Sequence, residues 1–305
     1  MILITGASGF VGRHLAALCA ERGEEVCGPS REELELLDAD AVRALVARVS
    51  PRYVFHLAAE ASVAQSWDAP GEVIDNNVRS TLNLLEALRT EAPEARALVA
   101  CSGEEYGRPL ELPMTEDHPL RPQNPYATSK AMTDLLAGFY ADAHGLRVVR
   151  TRAFNHAGPG QSDTYVVSAF ARQIAEAEAA DPPDGRVVVS TGNAEARRDF
   201  SDVRDVVRAY WTLVVERGEP GVFNVCSGRG MAVSDILTGL AALSPLEVER
   251  RTDPSKLRDN EVMEIRGSHD KLTEATGWRP EIDFSKTLRD TLDWWRERVA
   301  AGVAG

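Results

Sequence analysis

The residues of this sequence with the clearest chemical potential are a tyrosine and a lysine four positions apart. Tyr126 and Lys130 follow Asn124 and Pro125, a pair typical of a helix cap and a first helical turn. A four-residue spacing places both side chains on one helix face. An ammonium beside a phenol stabilises the phenolate form, so the pair can move a proton to or from a sugar oxygen. The same spacing also occurs in ordinary surface pairs, so the neighbouring residues must show whether this pair is catalytic.

Ser102 is the third candidate, because it ends the apolar run ALVAC. Ligands of open α/β sheets bind at the carboxyl ends of the strands, where this hydroxyl would lie. It can polarise the same carbonyl oxygen that Tyr126 would protonate. In this order along the chain, Ser102, Tyr126 and Lys130 predict a catalytic group of three.

A glycine loop predicts the cofactor. Gly6, Gly9 and Gly12 directly follow a short apolar strand and directly precede a helical pattern. Glycines permit a tight turn and close approach of the backbone, and a helix N-terminus presents N–H groups to phosphates. The pattern therefore predicts a pyrophosphate site for a dinucleotide.

The end of the second predicted strand bears on which dinucleotide binds. Ser30 and Arg31 arrive first and form a donor pair suited to a 2′-phosphate, which favours NADP(H). Glu32 and Glu33 follow immediately and can serve the ribose hydroxyls instead, so NAD(H) remains the alternative.

The elements that must position these groups alternate regularly. Apolar strands and helical patterns follow one another through the first half of the chain, which predicts a Rossmann-type, doubly wound α/β sheet with parallel strands. The pattern changes after Asn155. We expect a dinucleotide-binding domain over 1–155, with part of 198–228 crossing back into it, and a smaller substrate lobe, mainly 156–305.

Composition limits the function further. The chain has 305 residues, with 34 Lys and Arg against 47 Asp and Glu, a net charge of −13. This acidity argues against nucleic acid and against an anionic membrane surface as partners. The four cysteines show no metal-ligand spacing, so we expect reduced thiols, no metal and a soluble protein of the cytoplasm.

The motifs together resemble the extended short-chain dehydrogenase/reductase family of NAD-dependent sugar-nucleotide epimerases, dehydratases and reductases. The resemblance is carried, in family order over nearly the whole chain, by TGASGFVG, HLAA, NNVRSTLNLLEA, SGEEYG, YATSK, RAFNHAGPGQ and RDFSDVRDVV. It implies that Ser102, Tyr126 and Lys130 are catalytic and that the last two also contact the cofactor. It further implies a homodimer built from the helices that follow Asn77 and Tyr126.

The resemblance also assigns binding residues. Those predicted to contact the cofactor are Gly6, Ser8, Gly9, Phe10, Val11, Gly12, Ser30, Arg31, Asp38, Leu57, Ala58, Ala59 and Asn77. Those predicted to contact the sugar nucleotide are Ser102, Glu104, Asn155, Arg198, Arg258 and Glu261.

Within the family, the later segments are most similar to the branch that handles GDP-mannose and its derivatives. This implies reduction of the 4-keto group of GDP-4-keto-6-deoxy-D-mannose to GDP-D-rhamnose. A 4,6-dehydratase or a 4-epimerase on the same scaffold is the alternative, and a non-catalytic NADP-binding regulator is a remote one. Glu104 can remove a C5 proton, as a dehydratase requires, but Gly103 offers no acid to expel the C6 hydroxyl.

Overall fold

The structure is a computed structural model that describes residues 1–218, 220–257 and 262–302. Its strands coincide with apolar runs early in the chain, as in Ile2–Thr5 and Tyr53–His56, and several of the later ones are rich in charged residues. In chain order they are β1 (Ile2–Thr5), β2 (Val26–Cys27), β3 (Tyr53–His56), β4 (Arg96–Ser102), β5 (Arg147–Ala153), β6 (Asn155–Ala157), β7 (Arg186–Thr191), β8 (Arg197–Asp202), β9 (Gly221–Val225), β10 (Gly230–Ala232), β11 (Glu247–Thr252) and β12 (Glu264–Ile265).

Helices occupy most of the intervening segments. They are α1 (Phe10–Glu21), α2 (Ala39–Val49), α3 (Val63–Asp68), α4 (Pro70–Glu91), α5 (Pro125–His144), α6 (Val166–Ala180), α7 (Val203–Trp211), α8 (Val233–Ala241), α9 (Asp270–Thr276) and α10 (Phe284–Ala300). A 3₁₀ turn, Gly103–Tyr106, follows β4, another spans Pro254–Lys256, and the π-helical segment Thr212–Arg217 continues α7.

Six strands form one parallel sheet in the order β2, β1, β3, β4, β5, β9. Ile2 and Ile4 enter one apolar core, while Leu3 between them enters another on the opposite face. Helices α1, α7 and α9 contribute to the first core, and α2, α4 and α5 to the second. The sheet is therefore covered on both faces, and the predicted doubly wound parallel architecture is confirmed.

The strand order fixes where a ligand can bind. The chain runs outward in opposite directions from β1 and β3, which are hydrogen-bonded neighbours. Ligands of such sheets bind in the crevice beyond the carboxyl ends of the strands at this reversal. Thr5 and His56 end the two strands in register, and the loops that follow them hold Gly6 and Ala58.

The chain divides into two units. The first contains Met1–Phe154, Val206–Val225 and Ser268–Arg279, and the second contains Asn155–Asp205, Cys226–Gly267 and Pro280–Gly305. The sequence predicts a crossing segment within 198–228, and the structure places 206–225 there as α7 and β9. Ser268–Arg279 has no counterpart in the sequence prediction. It joins the first unit because Leu272 and Trp278 are buried in that unit's core.

The second unit has its own sheets and core. Strands β10, β8 and β12 are hydrogen-bonded side by side, β6 also pairs with β8, and β11 pairs with β7. Helices α6, α8 and α10 supply most of the core, which includes Ile174, Ile236 and Leu292. Trp295, 1% exposed, donates its indole N–H to the Ser168 hydroxyl at 2.8 Å.

Two further observations concern the described residues as a whole. All four cysteines in them are free thiols, three of which are buried. Over the same residues, the structure contains no helix that combines the length and apolarity required to cross a bilayer.

Candidate active site

The glycine loop between β1 and α1 is tightly closed. Gly6 has a φ of +77°, and a Cβ placed there would lie 2.8 Å from the Ala58 backbone nitrogen. A Cβ on Gly12 would lie 2.1 Å from the Gly6 carbonyl oxygen. The Gly9 N–H donates to that same oxygen at 3.0 Å, and α1 begins directly afterwards. The loop thus has the geometry that a pyrophosphate group requires, with bare backbone leading into a helix N-terminus.

The loop after β3 lies against this glycine loop. Leu57 donates its N–H to the Thr5 carbonyl at 3.1 Å, which continues the pairing of β1 and β3 by one residue. Ala58 follows, and Ala59 precedes Glu60. The structure therefore brings Leu57 and Ala58 beside the predicted pyrophosphate loop, where a larger side chain at Gly6 would collide with their backbone. The cofactor contact of Ala59 stays a prediction.

The residues after β2 make local contacts of two kinds. The Ser30 N–H donates to Glu33 Oε2 at 2.8 Å, and the Glu33 N–H donates to Ser30 Oγ at 3.3 Å. These hydrogen bonds lower the pKa of Glu33. Arg31 Nη1 lies 3.6 Å from Glu60 Oε1, and both side chains are well exposed. Such an exposed, elongated ion pair contributes little stability, so Arg31 is available to an anionic ligand.

Asp38 has a structural role that the sequence did not predict. Its carboxylate caps α2 by accepting the N–H groups of Asp40 and Ala41, each at 3.0 Å. A helix cap satisfies N–H groups that the helix itself leaves unpaired, and it accounts for the acid at this position. The predicted cofactor contact of Asp38 stays a prediction.

Asn77 connects the loop after β3 to the start of α5. It is 2% exposed, and its Oδ1 accepts the Glu60 N–H at 2.8 Å. Its Nδ2 donates to the Glu60 carbonyl at 3.1 Å and to the Ser129 hydroxyl at 2.9 Å. Ser129 in turn donates to the Tyr126 carbonyl at 2.8 Å. The amide thus holds the loop after β3 at a fixed place relative to the helix that carries Tyr126.

Helix α5 begins as the sequence predicts. Asn124 Oδ1 accepts the Ala127 N–H at 2.7 Å, and Pro125 occupies the first helical position. Tyr126 is half-buried. Lys130, one turn further on, is 6% exposed and donates from Nζ to the Ala100 carbonyl of β4 at 2.7 Å. Burial lowers the pKa of Lys130.

Ser102 and Lys130 are held by the same strand. Ser102 is the last residue of β4 and caps the 3₁₀ turn that follows, since its Oγ accepts the Glu104 N–H at 3.2 Å. Lys130 is hydrogen-bonded to the carbonyl of Ala100, which precedes Ser102 by two residues. The structure therefore brings Ser102 and Lys130 to the last residues of β4, and Tyr126 lies one turn before Lys130 on α5. The catalytic role of the three residues stays a prediction.

A buried histidine lies in the same part of the sheet. His56 ends β3 and shares hydrogen bonds with the hydroxyls of Thr5 at 2.7 Å and Thr81 at 3.0 Å. Burial, and then the positive charge of Lys130, lowers its pKa to about 3. His56 is consequently neutral, and we assign it a packing role.

Gly103 and Glu104 occupy the turn after Ser102. A Cβ on Gly103 would lie 3.1 Å from the ring of Phe154, so the turn is packed against that ring. Glu104 is half-buried, and its Oε2 accepts a hydrogen bond from Asn124 Nδ2 at 3.4 Å. The carboxylate thus lies beside the cap of α5.

Two of the remaining predicted substrate residues, Asn155 and Arg198, belong to the second unit. Asn155 is the first residue of β6 and pairs in register with Phe200. Arg198 lies on β8, and its Nη1 donates to the Arg197 carbonyl at 2.9 Å. Arg258 and Glu261 lie outside the described residues. The roles of these four toward a sugar nucleotide stay predictions.

Sequence reasoning missed a buried polar network below this site. Arg152 donates to Asp134 Oδ2 at 2.7 Å, to the Tyr106 hydroxyl at 3.1 Å and to the Glu116 carbonyl at 3.1 Å. The Tyr106 hydroxyl donates to Asn224 Oδ1 at 2.6 Å. Burial raises the pKa of Tyr106, which keeps it a donor. The available signal was a pair of arginines, Arg150 and Arg152, near the carboxyl end of β5.

Comparisons with known proteins agree with the family resemblance that the sequence motifs carry. Residues 2–226 match a family described as the NAD dependent epimerase/dehydratase family. The chain is 37% identical over 302 residues to GDP-6-deoxy-D-mannose reductase of Pseudomonas aeruginosa, covering 98% of both chains. It is 26% identical to GDP-mannose 4,6-dehydratase of Yersinia enterocolitica serotype O:8, covering 95% of this chain and 92% of that one.

A solved structure is similar over the same extent. RMD from Pseudomonas aeruginosa complexed with NADPH superimposes with a TM-score of 0.88 at 36% identity, covering 97% of this chain and 99% of that one.

The glycine loop gives a first prediction. We expect Gly12→Ala to abolish measurable dinucleotide binding and to lower the melting temperature, because its Cβ would meet the Gly6 carbonyl oxygen. Titration calorimetry with NADPH and NADH, together with thermal unfolding, measures both effects. Gly71→Ala in α4 is the matched control, since a Cβ there meets no atom within 4 Å. Wild-type affinity in Gly12→Ala would exclude this loop as the pyrophosphate site.

Proposed function

This chain belongs to the NAD dependent epimerase/dehydratase family, and we propose that it reduces the 4-keto group of GDP-4-keto-6-deoxy-D-mannose to GDP-D-rhamnose. Family membership confirms the resemblance that the motifs predicted. The single observation that carries the reductase proposal is the near full-length similarity to the Pseudomonas aeruginosa reductase.

Tyr126 is the proposed proton donor. NADPH, when bound, supplies the hydride that adds to C4 of the sugar. The phenol of Tyr126 gives its proton to O4, so that the carbonyl becomes a hydroxyl and the charge balances. Lys130, on the same helix face, stabilises the resulting phenolate, and Ser102 donates a hydrogen bond to the same oxygen.

The turn after Ser102 favours reduction over dehydration. A dehydratase requires a base for the C5 proton and an acid for the departing C6 hydroxyl. Glu104 can be the base, but Gly103 lies where even a Cβ would press on the Phe154 ring at 3.1 Å. An acidic side chain at that position would require the ring to move. The dehydratase remains the second candidate because of Glu104, and it predicts a different product.

NADP(H) is the proposed cofactor, and NAD(H) is the alternative. The exposed Arg31 supplies a cation for a 2′-phosphate, while the nearby carboxylate of Glu33 is engaged by the Ser30 N–H. The similar Pseudomonas aeruginosa structure contains NADPH, which supports the same choice here.

A homodimer is the proposed assembly. Met132, Leu135 and Phe139 form an exposed apolar stripe along α5, with Leu135 63% and Phe139 57% exposed. Leu82 on the adjacent α4 is also exposed. A self-complementary apolar patch is typical of two-fold symmetric dimers.

The net charge and the cysteines of the chain support a proposal for its cellular location and its partners. The net charge of −13 supports a protein without nucleic-acid or membrane partners, and the four free thiols support a reducing compartment, the cytoplasm. A GDP-sugar is the proposed small-molecule partner.

The assay that tests the function compares two reactions. With NADPH and GDP-4-keto-6-deoxy-D-mannose, we expect one NADPH oxidised per sugar consumed, and the product then reveals the C4 configuration. Tyr126→Phe should reduce kcat by about 100-fold or more, because the proton donor is lost, while NADPH affinity stays within about twofold. A second reaction contains GDP-mannose without added reduced cofactor. If only that reaction proceeds, giving a 4-keto product, the protein is a dehydratase.

Cofactor choice gives a separate prediction. Arg31→Ala should weaken NADPH binding about tenfold and leave NADH binding unchanged, because only NADPH carries the 2′-phosphate. Fluorescence titration with each nucleotide measures the two affinities. Arg43→Ala is the control, since Arg43 is likewise exposed but pairs with Asp40 on α2. Equal losses for both nucleotides would contradict the assignment.

The apolar stripe predicts the assembly. We expect Leu135→Arg to convert a dimer into monomers in sedimentation velocity, because a charge would be buried in the interface. Leu110→Arg is the control, since Leu110 is also 63% exposed but lies in the loop before α5. A wild-type monomer, or a Leu135→Arg dimer, would show that the stripe is not the interface.

A further inference from the structure

Glu105 is an acidic residue to which neither the sequence analysis nor the proposed chemistry gives a role. It directly follows Glu104 in the turn after β4, yet its side chain is completely buried, with 0% exposure. Glutamates are almost never fully buried unless they are paired. The contacts of Glu105 therefore indicate what keeps it there.

One carboxylate oxygen holds the backbone of Ser102. The Ser102 N–H donates to Glu105 Oε1 at 2.7 Å, while Ser102 Oγ accepts an N–H of the same turn at 3.2 Å. This reciprocal arrangement is that of a capping box, which fixes the backbone at the start of a helical turn. The backbone at Ser102 determines where its hydroxyl can point.

The other oxygen faces a crowded set of charges. Oε2 lies 3.7 Å from Arg152 Nε, but that nitrogen donates to Asp134 at 2.7 Å. Among the residues that the structure describes, Oε2 has no hydrogen-bond partner. Cys101, Glu105 and Asp134 have ligand-type atoms within 4.8 Å of one another. The charged and titratable groups facing Glu105 are Cys101 on β4, Lys130 and Asp134 on α5, Arg152 on β5 and Tyr106 in its own turn.

This environment favours the neutral carboxyl. Burial, followed by the negative charge of Asp134, raises the pKa of Glu105 to about 8. A neutral carboxyl keeps its carbonyl oxygen as an acceptor for the Ser102 N–H and needs no counterion. Near neutral pH, Glu105 therefore contributes the length of its side chain and an acceptor oxygen, and it contributes no negative charge.

We propose that Glu105 is a positioning residue that orients the Ser102 hydroxyl by holding the Ser102 backbone N–H. This proposal rests on the proposed role of Ser102, which it deepens. According to this proposal, the length of the side chain at position 105 determines kcat, and its ionisation does not.

Two substitutions separate these properties. Glu105→Gln keeps the length and the acceptor oxygen but cannot ionise, and Glu105→Asp can ionise but is one methylene shorter. We expect Glu105→Asp to lower kcat about tenfold or more, with both KM values within about twofold, because small displacements of catalytic groups are costly. Glu105→Gln should retain kcat within about threefold, since a residue with the same reach restores the contact. Loss of kcat in Glu105→Gln, or none in Glu105→Asp, would overturn the proposal.

Stability supplies a readout of the ionisation itself. A carboxyl whose pKa is raised by folding contributes stability below its ordinary value and loses that contribution as pH rises through about 8. The melting temperature of the wild type should therefore fall relative to that of Glu105→Gln between pH 4.5, the ordinary pKa of a glutamate, and about pH 8. Parallel curves would contradict the neutral buried form.

These experiments distinguish a failure of the Glu105 proposal from a failure of the proposed function. The kinetic comparison uses whichever of the two reactions described above the wild type catalyses, so a dehydratase still tests Glu105. Crystal structures of both variants provide the outcome that requires no substrate. We expect the Ser102 hydroxyl to be displaced in Glu105→Asp and retained in Glu105→Gln, and an unmoved hydroxyl in Glu105→Asp would overturn the proposal.

Discussion

The ammonium group of Lys130 is buried, and the residues around it in the first unit must compensate for the water that it loses. A buried cation costs several kcal/mol unless nearby groups compensate for the lost water. The Ala100 carbonyl accepts one N–H of the ammonium at 2.7 Å, while the neighbouring His56 stays neutral and adds no second positive charge. Because Ala100 lies within β4, the charge is fixed relative to Ser102, two residues later on that strand.

Asn77 extends this fixed arrangement to the loop after β3. A buried amide must satisfy both its oxygen and its nitrogen, and Asn77 does so with both backbone groups of Glu60 and with Ser129. Neither a carboxylate nor an apolar side chain of this size can accept and donate in the same way. The loop after β3 and the first turn of α5 are thus joined by one residue whose replacement would leave several polar groups unpaired.

Short-range patterns predicted much of the fold and part of the site. The glycine loop and the Tyr126–Lys130 pair depend on spacing within single elements, and the sheet follows from alternating elements, so both were legible in the sequence. Asp38 shows the limit, because an acid near a strand end and an acid capping a helix look alike until the helix start is known. Arg152 was missed because its partners Asp134 and Tyr106 are brought to it by tertiary packing. Glu105 has the capping-box spacing from Ser102, but its burial beside Asp134 and Arg152 depends on the tertiary structure.

The interleaved course of the chain has an evolutionary consequence. The first unit is assembled from three separated stretches, of which Val206–Val225 supplies the outer strand β9 and Ser268–Arg279 supplies buried Trp278. No uninterrupted stretch of gene encodes either unit, so neither can be transferred to another protein by a single recombination event. A fragment that ends at Phe154 would likewise lack β9 and Trp278, which the core of the first unit contains in the intact chain.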